Sequence, residues 1–152
     1  MSYTNVEARQ QMLDALAAAT EQLARAVASL SAAYEQMDEQ QADVLEARLF
    51  RPVQHAYGRA QRTHAGFADR HRMERRAFTA PIPEAPSTRV RGYIEHAMDA
   101  VEAAERELVA LQDSLMPIEF GDPELRAGLT EVRQLIAPLP LRARELVRVL
   151  GR

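Results

Sequence analysis

The chain contains no cysteine, no tryptophan and no lysine. Without cysteine there is no disulfide framework, no thiol nucleophile and no thiolate site for zinc or an iron–sulfur cluster, so any metal would have to be held by His, Asp or Glu. Aromatic residues make up 5% of the sequence, which leaves a core to be built from aliphatic side chains. No stretch reaches the roughly 18 uninterrupted apolar residues of a membrane-crossing helix. The opening residues Met1 to Asn5 have neither the basic start nor the apolar run of a secretion signal, so a cytoplasmic protein with no membrane association is expected. All 19 basic residues are arginine, and alanine is abundant. That pairing accompanies GC-rich codon usage, and arginine number alone therefore carries no functional weight.

What is present is 152 residues, enough for a single domain with its own core. The charges are segregated along it. Residues 1–47 hold eight acids against Arg9 and Arg25, whereas residues 48–76 hold eight arginines against Asp69 and Glu74. A division of this kind steers either intramolecular pairing or a symmetric dimer.

Hydrophobic spacing predicts an all-α fold of four helices, about 4–37, 40–76, 88–116 and 123–150, forming an antiparallel, left-handed up-down four-helix bundle. In the first helix the seam Val6, Arg9, Leu13, Leu16, Thr20, Leu23, Val27, Leu30, Tyr34 and Met37 alternates steps of three and four. Small residues border it, Ala19, Ala26 and Ala33 on one shoulder and Ala17, Ala24 and Ser31 on the other, which permits close neighbours on two sides and leaves some alanine surface for a partner. The pattern slips between Met37 and Ala42, where Asp38 with Gln41 reads as a capping box after a tight turn. The rival is one long helix running through the slip, kinked at Pro52, in an intermolecular bundle.

The second helix carries the seam Leu45, Leu49, Val53, Ala56, Ala60, Thr63 and Phe67. Residues 77–88, with three prolines, form the clearest connection. The third seam, Val90, Ile94, Ala97, Val101, Ala104, Leu108, Leu111 and Leu115, is stopped by Pro117. Asp122, Pro123 and Glu124 supply a cap, a first-turn proline and an acid for the dipole of the fourth helix. That helix bends or breaks at Pro138 and Pro140.

Two lines of side chains on the second helix bear on chemistry. Arg48, Arg51, His55, Arg59, Arg62 and Arg70 fall within about a third of its circumference, away from the seam, as a solvated or ion-paired face or as a surface for a partner, a polyanion or nucleic acid. Phe50, Tyr57, His64 and His71 recur every seven residues. His64 and His71 lie about 10 Å apart along the axis, too far to share a metal, so no metal or cofactor is expected. Tyr57, His64 and His71 instead read as amphipathic side chains packed on a neighbouring helix, or, with Tyr93 and Met98, as the lining of a small-molecule pocket. No residue before a histidine completes the Glu-x-x-His of diiron bundles, and no phosphate loop or nucleophile elbow occurs, so no catalytic residue is expected.

Tyr34 to Asp38 resembles the Tyr-x-x-x-Asp/Glu pattern of exported helical hairpins of type VII secretion, as does Tyr3 to Glu7. The chain lacks the Trp-x-Gly turn that accompanies that pattern, and the likeness assigns no family. The sequence alone points to a non-enzymatic helical interaction or scaffold protein that binds another protein or itself, as a homo-oligomer with the dimer the simplest case. A polyanion binder and a small-molecule-binding bundle are the alternatives.

Overall fold

The computed structural model of the protein describes residues 4–83, 85 and 89–150. Every regular element among them is helical: α1 (Asn5–Glu35), α2 (Glu39–Leu45), a π turn (Glu46–Phe50), α3 (Arg51–Arg70), α4 (Arg89–Asp113), α5 (Met116–Glu119), α6 (Pro123–Ile136) and α7 (Leu139–Leu150). No helix of the described residues is long and apolar enough to cross a membrane.

Local chemistry sets most of the boundaries. Thr4 caps α1 through a reciprocal capping box with Glu7. Asp38 caps α2 by accepting from the Gln41 amide at 2.8 Å, so α1 and α2 are separate helices and the single long helix considered from sequence does not form. The strain of Pro52 is taken up by the π turn just before it. Proline has no N–H for the Arg48 carbonyl four residues earlier, and the Arg142 guanidinium donates to that carbonyl instead, at 3.3 Å.

The second helix ends at Arg70, short of the expected 76. Arg72 takes a left-handed conformation (φ 55°), the Met73 amide donates to the Ala68 carbonyl and the Arg72 amide to that of Asp69. This is a Schellman closure built on arginine where glycine is usual, which is why no residue type announced it. Leu115 (φ 67°) turns the chain after α4 in the same left-handed region, so that helix ends at Asp113 and Pro117 sits in the first turn of α5. The expected start of that helix at residue 88 lies outside the described residues. Pro138 separates α6 from α7 by a true break.

The seams read from sequence supply most of the core, except that Val6 and Tyr34 of the first and Leu115 of the third are exposed. Leu45, Leu49, Val53, Ala56, Ala60, Thr63 and Phe67 are all buried, as are Leu125, Leu129, Val132, Ile136, Leu139, Ala143 and Leu146. Thr20, polar within the α1 seam, is satisfied by donating to the Leu16 carbonyl at 2.7 Å. Between Met12 and Ala33 only Asp14 and Arg25 of α1 are exposed.

Directions follow from contacts at the two ends. Arg9 donates to the Phe120 carbonyl at 3.1 Å, and Arg70 bonds Asp122. The start of α1, the end of α3 and the start of α6 therefore share one end of the molecule. At the other end Arg89, Val90 and Tyr93 gather beside Gln36, and Arg48 pairs with Glu145. Packed neighbours are α1 with α4 and α3, α3 with α6, and α4 with α7 and α6. Each of these pairs runs antiparallel, while α3 and α4, consecutive in the chain, run the same way and are not principal neighbours. The regular up-down alternation expected from sequence does not hold. The connection after α3 is longer than a hairpin link: it starts at His71 and climbs the molecule as a strap. Arg76 pairs with Glu21, Phe78 meets His64, and Pro81 to Pro83 lie between α1 and α4 beside Gln22, Ser29 and Ala100.

Helix α6 approaches α3 so closely that a Cβ on Gly128 would stand 2.2 Å from Thr63 Oγ1. Gly128→Ala should therefore force the pair apart and lower stability by about 1–3 kcal/mol in urea unfolding. Thr63→Ala in the same background should recover part of that loss. Equal stabilities for wild type and Gly128→Ala would contradict this packing.

Candidate functional site

The arginine line of the second helix faces the C-terminal helices. Arg48 Nη2 donates to Glu145 Oε2 at 3.1 Å, and Arg59 Nε to Glu131 Oε2 at 2.6 Å. Arg59 also donates to Thr63 Oγ1 at 2.9 Å. Arg51 lies 3.6 Å from Glu46. Glu131 is held below the usual carboxylate range by the Arg59 hydrogen bond first, with the charges of His55 and Arg62 adding to it. The acids that meet Arg48, Arg51, Arg59 and Arg70 come from α7, the π turn, α6 and the cap of α6. No arginine of α3 pairs with an acid of α1 among the described residues.

At the foot of this line stands a tighter cluster. Arg70 grips Asp122 with two bonds, Nε to Oδ2 at 2.8 Å and Nη2 to Oδ1 at 3.0 Å. His71 Nε2 is 2.9 Å from Asp122 Oδ2, and the Leu125 amide donates to Oδ1 at 2.8 Å. Burial works to raise the Asp122 pKa, but the bonds from Arg70, the Leu125 amide and His71 together hold it at about 2. In the sequence Asp122 reads as a helix cap. Its second role, joining the ends of α3 and α6, rests on a partner 52 residues away and has no local signature.

The histidine ladder divides. His71 is taken by Asp122 and packs on Phe67, with ring centroids 4.4 Å apart. His64 is buried, 3% exposed, so its polar edge is enclosed rather than left at the rim as an amphipathic packing role implies. The Phe78 ring of the strap stands perpendicular to it with centroids 5.4 Å apart, and Nδ1 of His64 has no hydrogen-bond partner among the described residues. In the sequence Phe78 belongs to the proline-rich connection 77–88, and nothing there places it beside His64.

The pocket residues do not converge. Tyr93 lines an open depression with Gln36, Ala85, Arg89 and Val90, while Met98 lines another, of about 250 Å³, with Glu102, Pro140, Ala143 and Val147 between α4 and α7. Tyr57 and His64 border neither depression. The Tyr57 phenol is raised above its ordinary pKa by burial. Comparison with protein-family models, curated proteins and solved structures finds no match for this chain.

Because Asp122 is deprotonated more readily in the folded state, its contribution is complete above its ordinary pKa of 3.8 and is lost as pH falls through about 2. With the side chain only 16% exposed, the shift corresponds to about 2 kcal/mol. Asp122→Ala, which also removes the α6 cap, should lower urea-unfolding stability at pH 7 by about 2–3 kcal/mol and flatten the acid limb between pH 4 and 2. A loss under about 0.5 kcal/mol would show that the cluster is incidental.

Proposed function

We propose that this chain is a cytoplasmic, non-enzymatic helical interaction protein that self-associates. The observation that carries this reading is a group of large apolar side chains turned to solvent at one end of the molecule: Val6 is 67% exposed, Leu115 56% and Ile118 67%. They come from the start of α1, the turn after α4 and α5, segments tied together by the Arg9 bond to the Phe120 carbonyl. Leu115 presents its side chain from a left-handed backbone conformation that costs about 1 kcal/mol and that glycine or asparagine would adopt more cheaply. An apolar end of this kind fits a second copy meeting it head to head about a two-fold axis.

The ion pairs support the same reading over a polyanion surface, since a polyanion would have to displace Glu145, Glu131 and Asp122 from Arg48, Arg59 and Arg70. Within this proposal the four rods, α1, α2 with α3, α4, and α6 with α7, form a left-handed four-helix bundle with one long crossover. The antiparallel neighbours and the three-four alternation of the seams favour it.

Size-exclusion chromatography with light scattering should find a dimer at micromolar concentration. Leu115→Asn with Ile118→Lys should return it to a monomer without loss of thermal stability, because asparagine tolerates the left-handed backbone. A monomeric wild-type chain, or a double variant that remains dimeric, overturns the proposal.

A further inference from the structure

The strap is held by very little. Between Met73 and Pro83 only Phe78 is even half-buried, and its flanking residues are exposed. Phe78 is placed by two neighbours, the His64 ring at 5.4 Å and the Arg76 guanidinium 5.6 Å from its centroid. Arg76 is itself paired with Glu21 of α1. Strap residues Arg76 to Thr79 and Pro81 line an open depression together with Glu21, Ala24 and Arg25 of α1, so this segment borders part of the small-residue surface of α1.

His64 fits this arrangement only as a neutral ring. An imidazolium carries an N–H on both nitrogens, and Nδ1 is buried with no acceptor in reach among the described residues. The charged groups facing it are Arg76 of the strap, which repels a proton, and Asp14 of α1, which attracts one. We propose that the strap is an acid-released cover: proton uptake by His64 expels Phe78 and lifts residues 74–82 from α1, opening the Ala24 surface while the helices stay packed. Asp14 then becomes the partner of the hydrated imidazolium.

The direction of the effect is set by burial first and Arg76 second, which together outweigh Asp14 and lower the His64 pKa from 6.5. The closed strap is therefore fully stable above pH 6.5 and loosens as pH falls through the lowered value. Its release gives up the small burial at Phe78 and the exposed Arg76–Glu21 pair, whereas unfolding the rods would expose the whole core.

Nuclear magnetic resonance of the full chain tests this. Cross-peaks between the His64 and Phe78 rings should vanish with a midpoint that coincides with the His64 titration, below pH 6.5, while the methyl signals of Leu23 and Val101 stay dispersed. In His64→Gln the strap signals should not change over that range. In Phe78→Ala, which gives water access to the ring, the His64 titration should move up toward 6.5. Cross-peaks that persist once His64 is protonated, the same strap transition in His64→Gln, or loss of the core methyl dispersion at the same midpoint each overturn the proposal.

Discussion

Burial of α1 on nearly every side is the constraint on which the rest of the structure depends. A helix can be enclosed in this way only if its side chains are small enough for neighbours to approach along several faces at once, and α1 meets that condition with Ala8, Ala17, Ala19, Ala24, Ala26, Ala28 and Ala33, all buried. Leu13, Leu16, Leu23 and Leu30 supply the apolar area, at about 2 kcal/mol for each fully buried side chain. The alanines supply little area and set the distances. Helix α4 takes the closest place beside α1, α3 takes the next, and the strap crosses what remains.

That enclosure accounts for the order of the helices. If α3 and α4 were joined by a short hairpin, they would lie side by side and run in opposite directions, and the outer face of α1 would be left with its alanines in water. The long connection from His71 allows α4 to begin at the far end, beside Gln36, and to descend along α1. In doing so it lays Phe78 and Pro81 to Pro83 across α1. The alanine surface that sequence reasoning left open for a partner is thus partly used by the chain itself. Large apolar side chains stay exposed elsewhere, among them Val6, Leu115 and Ile118 at one end, Leu141 and Val149 on α7, and Ile82 on the strap.

The periodic features were legible because they are local. Every residue of the second-helix seam is buried, and the caps at Asp38 and Asp122 lie where short polar side chains precede apolar runs. Reading failed where the backbone did something that its residue types do not advertise. Arg72 and Leu115 occupy left-handed positions at helix ends where glycine is the usual sign, so α3 and α4 end earlier than their spacing implied. Pairings over long separations were equally hidden. His64 under Phe78 and Arg70 on Asp122 depend on the path of the strap and on the choice of neighbour for α3, neither of which has a period to detect. The arginine face was visible, but the acids that meet it were not.

Asp122 apart, those acids do more to select the arrangement than to stabilise it. Exposed pairs such as Arg48 with Glu145 are worth about 0–1 kcal/mol each, small beside the buried leucines. Their placement nevertheless discriminates between folds. With the same four seams, α6 and α7 would as readily exchange places with other rods, since one aliphatic stripe resembles another. Only one neighbour brings Glu131 to Arg59, Asp122 to Arg70 and Glu145 to Arg48 at once, along an antiparallel register that Gly128 and Thr63 fix by shape. A wrong partner would leave Arg59, 23% exposed as a side chain, half-buried without its carboxylate. Hydrophobic periodicity decides that the rods associate, and the charge line on α3 decides which rod lies against it.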